Sequence, residues 1–312
     1  MRKLLITGAL GHIGSRFIHD LRPGEFPEVV LVDNLATRRY GSLFNLPAGV
    51  PFRFVEADVC TADLDRLFAG MDAVIHLAAI TDATKSFENE AQVEQVNFAG
   101  TQRVARACAK SGSRLIFPSS TSVYGLPEGV VDEDCPADQL KPQSPYAENK
   151  LRAERLLTEL GASANLRFIT CRCGTIYGVS PGMRFHTAVN KFAWQACLGG
   201  PVTVWRTALD QRRPYLDLGD AVRALRFILQ RDLFDRRIYN VLTDNLTIAE
   251  VLEVLRELVP GLAVQFVDSP IMNQLSYTVR SERFRALGFE FHGRLRAALA
   301  ETVQLLENVR PK

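Results

Sequence analysis

No hydrophobic run in this sequence is long enough to cross a bilayer, and the N-terminal stretch Leu4-Leu-Ile6 after Met1-Arg-Lys3 is too short for a signal peptide. Neither sign of charge dominates. The 37 basic and 35 acidic residues leave +2, so nothing asks for nucleic acid or a membrane surface as a partner, and Arg38-Arg39, Arg212-Arg213 and Arg236-Arg237 are local clusters. Six cysteines (Cys60, Cys108, Cys135, Cys171, Cys173, Cys197) show neither disulfide-framework nor metal-ligand spacing. Cys171-x-Cys173 falls in an apolar run that reads as a strand, where alternate side chains share a face. No second Cys/His pair accompanies it, so a structural role and no metal site are expected. Repeats and low-complexity segments are missing too. These absences imply a reducing, cytoplasmic setting. The 312 residues, 47% hydrophobic and 23% charged, suffice for one large α/β unit or two domains.

What is present is alternation. Short apolar runs at Lys3–Thr7, Glu28–Asp33, Phe52–Glu56, Ala73–Leu77, Arg114–Pro118 and Leu166–Arg172 read as strands. Helical stretches lie between them at Gly11–Leu21, Asp63–Phe68, Ala91–Ser111 and Pro145–Leu160. This predicts a Rossmann-type α/β fold, a doubly wound parallel sheet binding ligands at the carboxyl ends of its strands. After Cys173 the pattern loosens at Gly178-Val-Ser-Pro-Gly182. A helix is expected over Thr187–Leu198, another over Asp220–Gln230, a strand at Ile238–Val241, and a helix over Thr247–Leu258 opened by a Thr247/Glu250 capping box. The expected division is a dinucleotide-binding domain over 1–173, with 213–243 returning to it, and a smaller mixed substrate domain over 174–212 and 244–312.

Thr7-Gly8-Ala-Leu-Gly11-His12-Ile13-Gly14 lies between a strand and a helix, where such glycines let a pyrophosphate approach the helix N-terminus. Asp33 ends the second strand. A carboxylate there accepts from the adenosine ribose hydroxyls and repels a 2′-phosphate, which favours NAD over NADP. Asp58-Val59, after the third strand, is placed for the adenine edge. Leu77-Ala78-Ala79, after the fourth, suits the pyrophosphate and nicotinamide ribose. Asn97, on the next helix, is either a cofactor contact or an ordinary polar helix residue.

Tyr146 and Lys150 are four apart on a predicted helix and share one face. The ammonium is therefore expected beside the phenol, whose ordinary pKa of about 10 it lowers toward the working range. In Phe117-Pro-Ser-Ser120-Thr121-Ser122-Val-Tyr-Gly125, at the end of the fifth strand, the Ser120 hydroxyl is placed to share a substrate proton with Tyr146.

With these residues the chain resembles the extended short-chain dehydrogenase/reductase family, especially its nucleotide-sugar epimerase branch. The similarity runs over nearly the whole chain, through Thr7–Gly14, Asp33-Asn34, Asp58-Val59, His76–Ala79, Asn97, Ser119–Gly125, Ser144–Lys150, Arg172–Gly178 and Arg213–Asp220. The resemblance implies that Tyr146 takes a proton from a sugar hydroxyl as hydride passes to a tightly bound NAD. It makes Lys150 also a holder of the nicotinamide ribose, Asn34 a cofactor contact, and Ser120 the hydroxyl partner. It puts Thr81, Thr121, Ser122 and Thr175 on the sugar side and Arg213 on the diphosphate. A homodimer through a four-helix contact is implied as well. Relatives that dehydrate or decarboxylate carry acidic residues in the two positions before Val-Tyr-Gly, where this chain has Thr121 and Ser122. The resemblance therefore favours epimerisation at C4 of a UDP-hexose or a relative. A dehydratase, decarboxylase or reductase on the same scaffold and a non-catalytic NAD(P) sensor stay as alternatives. Two positions depart from the family pattern. Thr175 replaces a usual Asn, and Ile271–Leu275 has no arginine where a second diphosphate ligand is expected.

Overall fold

Leu4–Thr7 leaves no side chain to solvent, the pattern of a strand covered by helices on both sides. This strand, β1, is the centre of a sheet that the computed structural model shows in full; the structure describes residues 2–125, 129–268 and 276–309. It pairs with β2 (Val29–Asp33) and β4 (Ala73–His76), and β3 (Phe52–Glu56) and β5 (Arg114–Ser120) lie beyond these. A short β6 (Val130–Val131) lies outside the sheet, and β7 (Phe168–Cys173) rejoins it. The remaining strands are β8 (Thr175–Tyr177), β9 (Val202–Trp205), β10 (Arg213–Asp217), β11 (Ile238–Val241), β12 (Asp244–Leu246), β13 (Val264–Val267) and β14 (Thr278–Val279). The main sheet has seven strands in the order β11-β7-β5-β4-β1-β2-β3, every pair parallel. This is a Rossmann-type sheet, and its order reverses between β1 and β4, where the crevice opens.

The helices are α1 (His12–His19), α2 (Leu64–Phe68), α3 (Glu90–Val93), α4 (Thr101–Ser111), α5 (Pro145–Ser163), α6 (Ala188–Cys197), α7 (Leu218–Arg231), α8 (Ile248–Leu258), α9 (Glu282–Arg285) and α10 (Leu295–Leu306). One core lies between the sheet and α1 with α7, including Phe17, Ile18, Val222, Leu225 and Ile228. A second lies on the opposite face with α2, α4 and α5, including Phe68, Val104, Phe117 and Leu157. The segment 213–243 divides: β10 pairs with β8 and β12 in a small separate sheet, while α7 covers the main sheet and β11 extends it. Phe284 and Phe289 also pack into the first core. A third core, built from α6, α8, α10, β9 and β10, forms the other half. Thr247 and Glu250 make the expected capping box, Thr247 N donating to Glu250 Oε2 at 2.6 Å and Glu250 N to Thr247 Oγ1 at 3.2 Å.

The helix expected over Ala91–Ser111 is present without a break, and it widens in its middle. Glu94–Gly100 is a π-turn between α3 and α4. The wider turn directs Asn97 at the loop after β4, where it grips Ile80, and a π-bulge of this kind commonly marks a functional region. Gly100 suits the crowding there: a Cβ would lie 3.3 Å from Val59 Cγ2.

Candidate active site

The dinucleotide turn is built to exclude side chains. Gly8 has φ +65°, and a Cβ on it would lie 2.5 Å from Ala78 N; one on Gly14 would lie 2.5 Å from Ala9 O. Gly11 caps α1 without a side-chain hydrogen bond, leaving the helix N–H groups for an anion. His12 is buried, its Nδ1 on Ser180 Oγ at 2.9 Å and its Nε2 without a partner. Burial, with Arg184 and Arg39 nearby, holds it neutral, its pKa well below the usual histidine value.

Asp33 receives Leu10 N on one oxygen (3.1 Å) and Leu35 N on the other (2.9 Å). It is thereby fixed at the strand end with a lone pair left on each oxygen for a ribose diol. Asn34 donates to Asp58 Oδ2 at 3.0 Å, and Asp58 Oδ1 accepts from Cys60 N at 2.7 Å. Val59 is buried behind them. Glycine turn, uncapped helix end and Asp33 together fit NAD. Asn97 lies behind the loop after β4. Its Oδ1 accepts from Ile80 N and its Nδ2 donates to Ile80 O, both at 2.8 Å. At 1% exposure it supports the 77–81 loop from behind, with one amide N–H and one carbonyl lone pair beyond those two bonds.

Ile13, Leu77, Ala79, Thr81, Ser120, Thr121, Ser122, Tyr146, Lys150, Thr175 and Arg213 line one crevice at the carboxyl ends of the strands. Ser144 starts α5 by accepting from Ala147 N, with Pro145 in the first turn, which points Tyr146 at the end of β5. Burial pushes the Tyr146 phenol upward in pKa, while the field of Arg184 and a hydrogen bond from Ser120 oppose the rise. Ser120 Oγ accepts in turn from Ser122 Oγ at 2.8 Å and Ser122 N at 3.2 Å.

Lys150 differs from expectation. Its Nζ donates to Pro118 O at 2.8 Å and lies 4.6 Å from the Phe117 ring centroid, instead of pairing with the phenol. The strand-end carbonyl is a fixed acceptor, and the ring face adds a cation–π contact. Burial brings this ammonium down to about 8. Below it His76 is fully engaged, Nδ1 with Thr7 Oγ1 at 2.7 Å and Nε2 with Thr101 Oγ1 at 3.0 Å.

Among the lining residues that the sequence did not single out are Arg184, His186 and Asp82. Arg184 and His186 come from the loop between β8 and α6, and Asp82 from the loop after β4. The first loop seats directly on the dinucleotide turn: Gly182 N donates to Ser15 Oγ at 2.9 Å, and Arg16 Nη1 to Val179 O at 3.1 Å. The Nε of Arg184 is buried without a hydrogen-bond partner. His186, hydrogen-bonded to the Thr81 backbone, is pulled down to about 4, chiefly by burial. A second hollow opens from the first and shares Asp82, Thr84, Thr175, His186, Thr187 and Arg213 with it. Phe185, Trp205, Lys85 and Lys191 contribute to its lining. The expected Ile271–Leu275 position lies outside the described residues. Among the described residues no group of His, Cys, Asp and Glu could hold a metal ion, and no helix is long and apolar enough to cross a membrane.

Fold and crevice define an NAD-binding protein of the doubly wound α/β class. A sequence profile of the NAD dependent epimerase/dehydratase family matches residues 4–241. The chain belongs to that family, in the nucleotide-sugar epimerase branch of the extended short-chain dehydrogenases/reductases. A UDP-glucose 4-epimerase of Azospirillum brasilense is 32% identical over 240 residues, 71% of this chain and 66% of that protein. A dTDP-glucose 4,6-dehydratase of Streptomyces griseus is 32% identical over 310 residues, 96% of this chain and 92% of that protein. The structure of MoeE5 in complex with UDP-glucuronic acid and NAD superposes with a TM-score of 0.82 at 29% identity, covering 97% of this chain and 98% of that one. The relatives are thus nucleotide-sugar epimerases and dehydratases, and the cofactor is NAD.

Proposed function

We propose that this protein epimerises a nucleotide-diphosphate sugar of the UDP-hexose class at C4, through a transient 4-keto sugar. The carrying observation is that Tyr146, Ser120 and Lys150 share one crevice with the dinucleotide turn while positions 121 and 122 bear hydroxyls and no carboxylate. NAD, bound there, supplies a hydride acceptor and then a donor, so none is consumed. Tyr146 Oη takes the proton of the C4 hydroxyl and returns it after the sugar has turned, with Ser120 orienting that hydroxyl. Lys150 holds the nicotinamide ribose and adds fixed positive charge. Asp33 selects NAD at the far ribose. The base and diphosphate occupy the second hollow, with Arg213 at the diphosphate, a task suited to a guanidinium. Thr81, Thr121, Ser122 and Thr175 face the hexose. Arg184 adds a feature that the motifs do not carry: a buried guanidinium with an unpartnered Nε beside the working phenol favours a hexose bearing an anionic group at C6. MoeE5 is found in complex with UDP-glucuronic acid and also with UDP-glucose, so the choice rests on Arg184. The working form is a homodimer joined through α5 and the α3–α4 segment.

A dehydratase is the second reading. Asp82 lines the crevice although Thr121 and Ser122 do not supply an acid, and the Streptomyces griseus relative has that activity. NMR of the purified protein with UDP-, dTDP-, GDP- and CDP-sugars, UDP-glucose and UDP-glucuronic acid among them, separates the two. C4 epimers appearing without change of mass establish the epimerase. Release of water or carbon dioxide replaces it with the dehydratase or a decarboxylase.

A further inference from the structure

Glu154 lies one helical turn beyond Lys150, behind the crevice wall, and does not line the crevice. Its carboxylate is 3% exposed and collects hydrogen bonds from two strands. Ser119 Oγ donates to Oε1 at 2.5 Å, Arg172 Nε to Oε1 at 3.1 Å, and Arg172 Nη2 to Oε2 at 2.7 Å. Each donor precedes a crevice residue on its strand. Ser119 precedes Ser120 on β5 and both reach the crevice lining, whereas on β7 the alternation sets Arg172 on Glu154 and Cys173 in the crevice. Arg172 is held from its other side, 4.8 Å from the Tyr124 ring centroid, and Tyr124 OH donates to Asn240 Oδ1 at 2.8 Å. A bare structural ion pair has no need to join these elements, and buried pairs of this kind often contribute little net stability against apolar replacements.

We infer that Glu154 is a positioning residue, which ties the ends of β5 and β7 to α5 and serves as the fixed counter-charge behind Lys150. The inference rests on the reading of Tyr146 and Lys150 as the working pair. Four titratable groups face Lys150: Tyr146 and Glu154 on α5, His76 on β4 and Cys173 on β7. Burial raises the Cys173 thiol to about 12 and lowers His76 to about 3, so neither carries charge at neutral pH. Beside the phenol that works as the base, Glu154 is the one carboxylate among the four. Burial lowers the Lys150 ammonium to about 8 while the fields of Cys173 and Glu154 raise it, so removing the carboxylate should lower it further.

The test is an NMR titration of the lysine ε-carbons in full-length, NAD-loaded protein labelled at lysine. The seven lysines make the Lys150 signal assignable by its loss in Lys150→Arg. Glu154→Gln should lower the Lys150 midpoint by about one pH unit or more, with NAD retained, and Glu154→Asp should restore most of the shift. If Glu154→Gln leaves a buried unpaired arginine and fails to fold, the double variant Glu154→Met with Arg172→Met, set against Arg172→Met alone, isolates the carboxylate: the Lys150 midpoint should lie lower in the double variant than in the single one. A lower melting temperature with an unmoved Lys150 midpoint overturns the inference and leaves a structural ion pair. Turnover of UDP-glucose or UDP-glucuronic acid by Lys150→Met tests the underlying reading separately: a near-normal rate there removes the working pair itself, whatever the titration shows.

Discussion

The floor of the crevice, contributed by β4, β5, β7 and α5, engages its polar side chains almost completely. Both nitrogens of His76, both amide atoms of Asn97 and the ammonium of Lys150 have partners, as do both oxygens of Glu154; Thr170 Oγ1, Arg172 Nη1 and, at the far end of β5, Arg114 Nη1 are exceptions. The 178–187 loop that overhangs the floor is different. Arg184 Nε and Thr187 Oγ1 are buried without partners, and so is Nε2 of His12 beneath it. An orphaned buried donor costs about 1–3 kcal/mol, so a cluster of them beside an uncapped helix end marks where ligand atoms complete the protein. The floor is preorganised before anything binds. The overhang is finished by what binds.

Four variants probe this contrast. The largest effect belongs to the floor. Tyr146→Phe removes the phenolic oxygen and keeps the ring, so turnover of the active nucleotide sugar should fall by about 10³ while bound NAD, measured by extraction, stays at the wild-type level. Near-normal turnover would move the base elsewhere, and Asp82 would be the first candidate.

Gly182→Ala attacks the seating of the overhang. A Cβ there would lie 2.2 Å from Leu10 O and 2.8 Å from Gly11 O, so the loop has to lift from the dinucleotide turn. A shift of that size is expected to weaken NAD binding by about 10²-fold, read by calorimetry on stripped protein, with little change in the far-UV spectrum. Unchanged affinity would mean that the loop does not help to hold the cofactor.

Arg184→Gln sharpens the electrostatic side. Arg184 favours phenolate on Tyr146, so its removal should raise the phenol's pKa further and move the acid limb of the kcat profile to higher pH. Turnover at neutral pH should drop about tenfold for a displacement of one unit. If the limb stays in place and only KM for an acidic sugar rises, Arg184 is a substrate ligand without a share in tuning the base.

The same contrast explains what could be read from the sequence. The floor is made of periodic elements: the strands β1 to β5, the glycine turn and the Tyr146/Lys150 spacing all follow from apolar alternation and helical repeat. The π-turn at 94–100 is not legible in the sequence because its apolar spacing resembles an ordinary helix. Arg184, His186 and Asp82 escaped for another reason. They sit in loops rich in Gly, Pro, Ser and Thr, where no period says which way a side chain faces. A charged residue closing the Pro181-Gly182 break was the one available hint. Lys150 shows that spacing fixes a shared face but leaves the final partner to tertiary structure: Pro118 O, which spacing on α5 cannot foresee, took the ammonium.

The smallest effect on activity at neutral pH is expected from the floor's buried histidines, and it should appear in stability instead. Burial pulls His76 down to about 3, and His12 is lowered as well. An unfolded histidine titrates near 6.5, so between pH 6.5 and about 3 the unfolded chain binds a proton at position 76 that the folded chain refuses, and below pH 6.5 His12 acts in the same direction. Stability from this source is complete above pH 6.5 and declines as pH falls, by about 1.4 kcal/mol per pH unit for each group. His76→Asn should therefore melt lower than the parent at pH 7, having lost the Thr7 and Thr101 hydrogen bonds, yet lose less on going from pH 6.5 to 5, by about 2 kcal/mol. Chemical denaturation at the two pH values measures both quantities. Equal losses in parent and variant would mean that His76 titrates normally and that the floor is open to water, which would remove the distinction between a completed floor and an unfinished overhang.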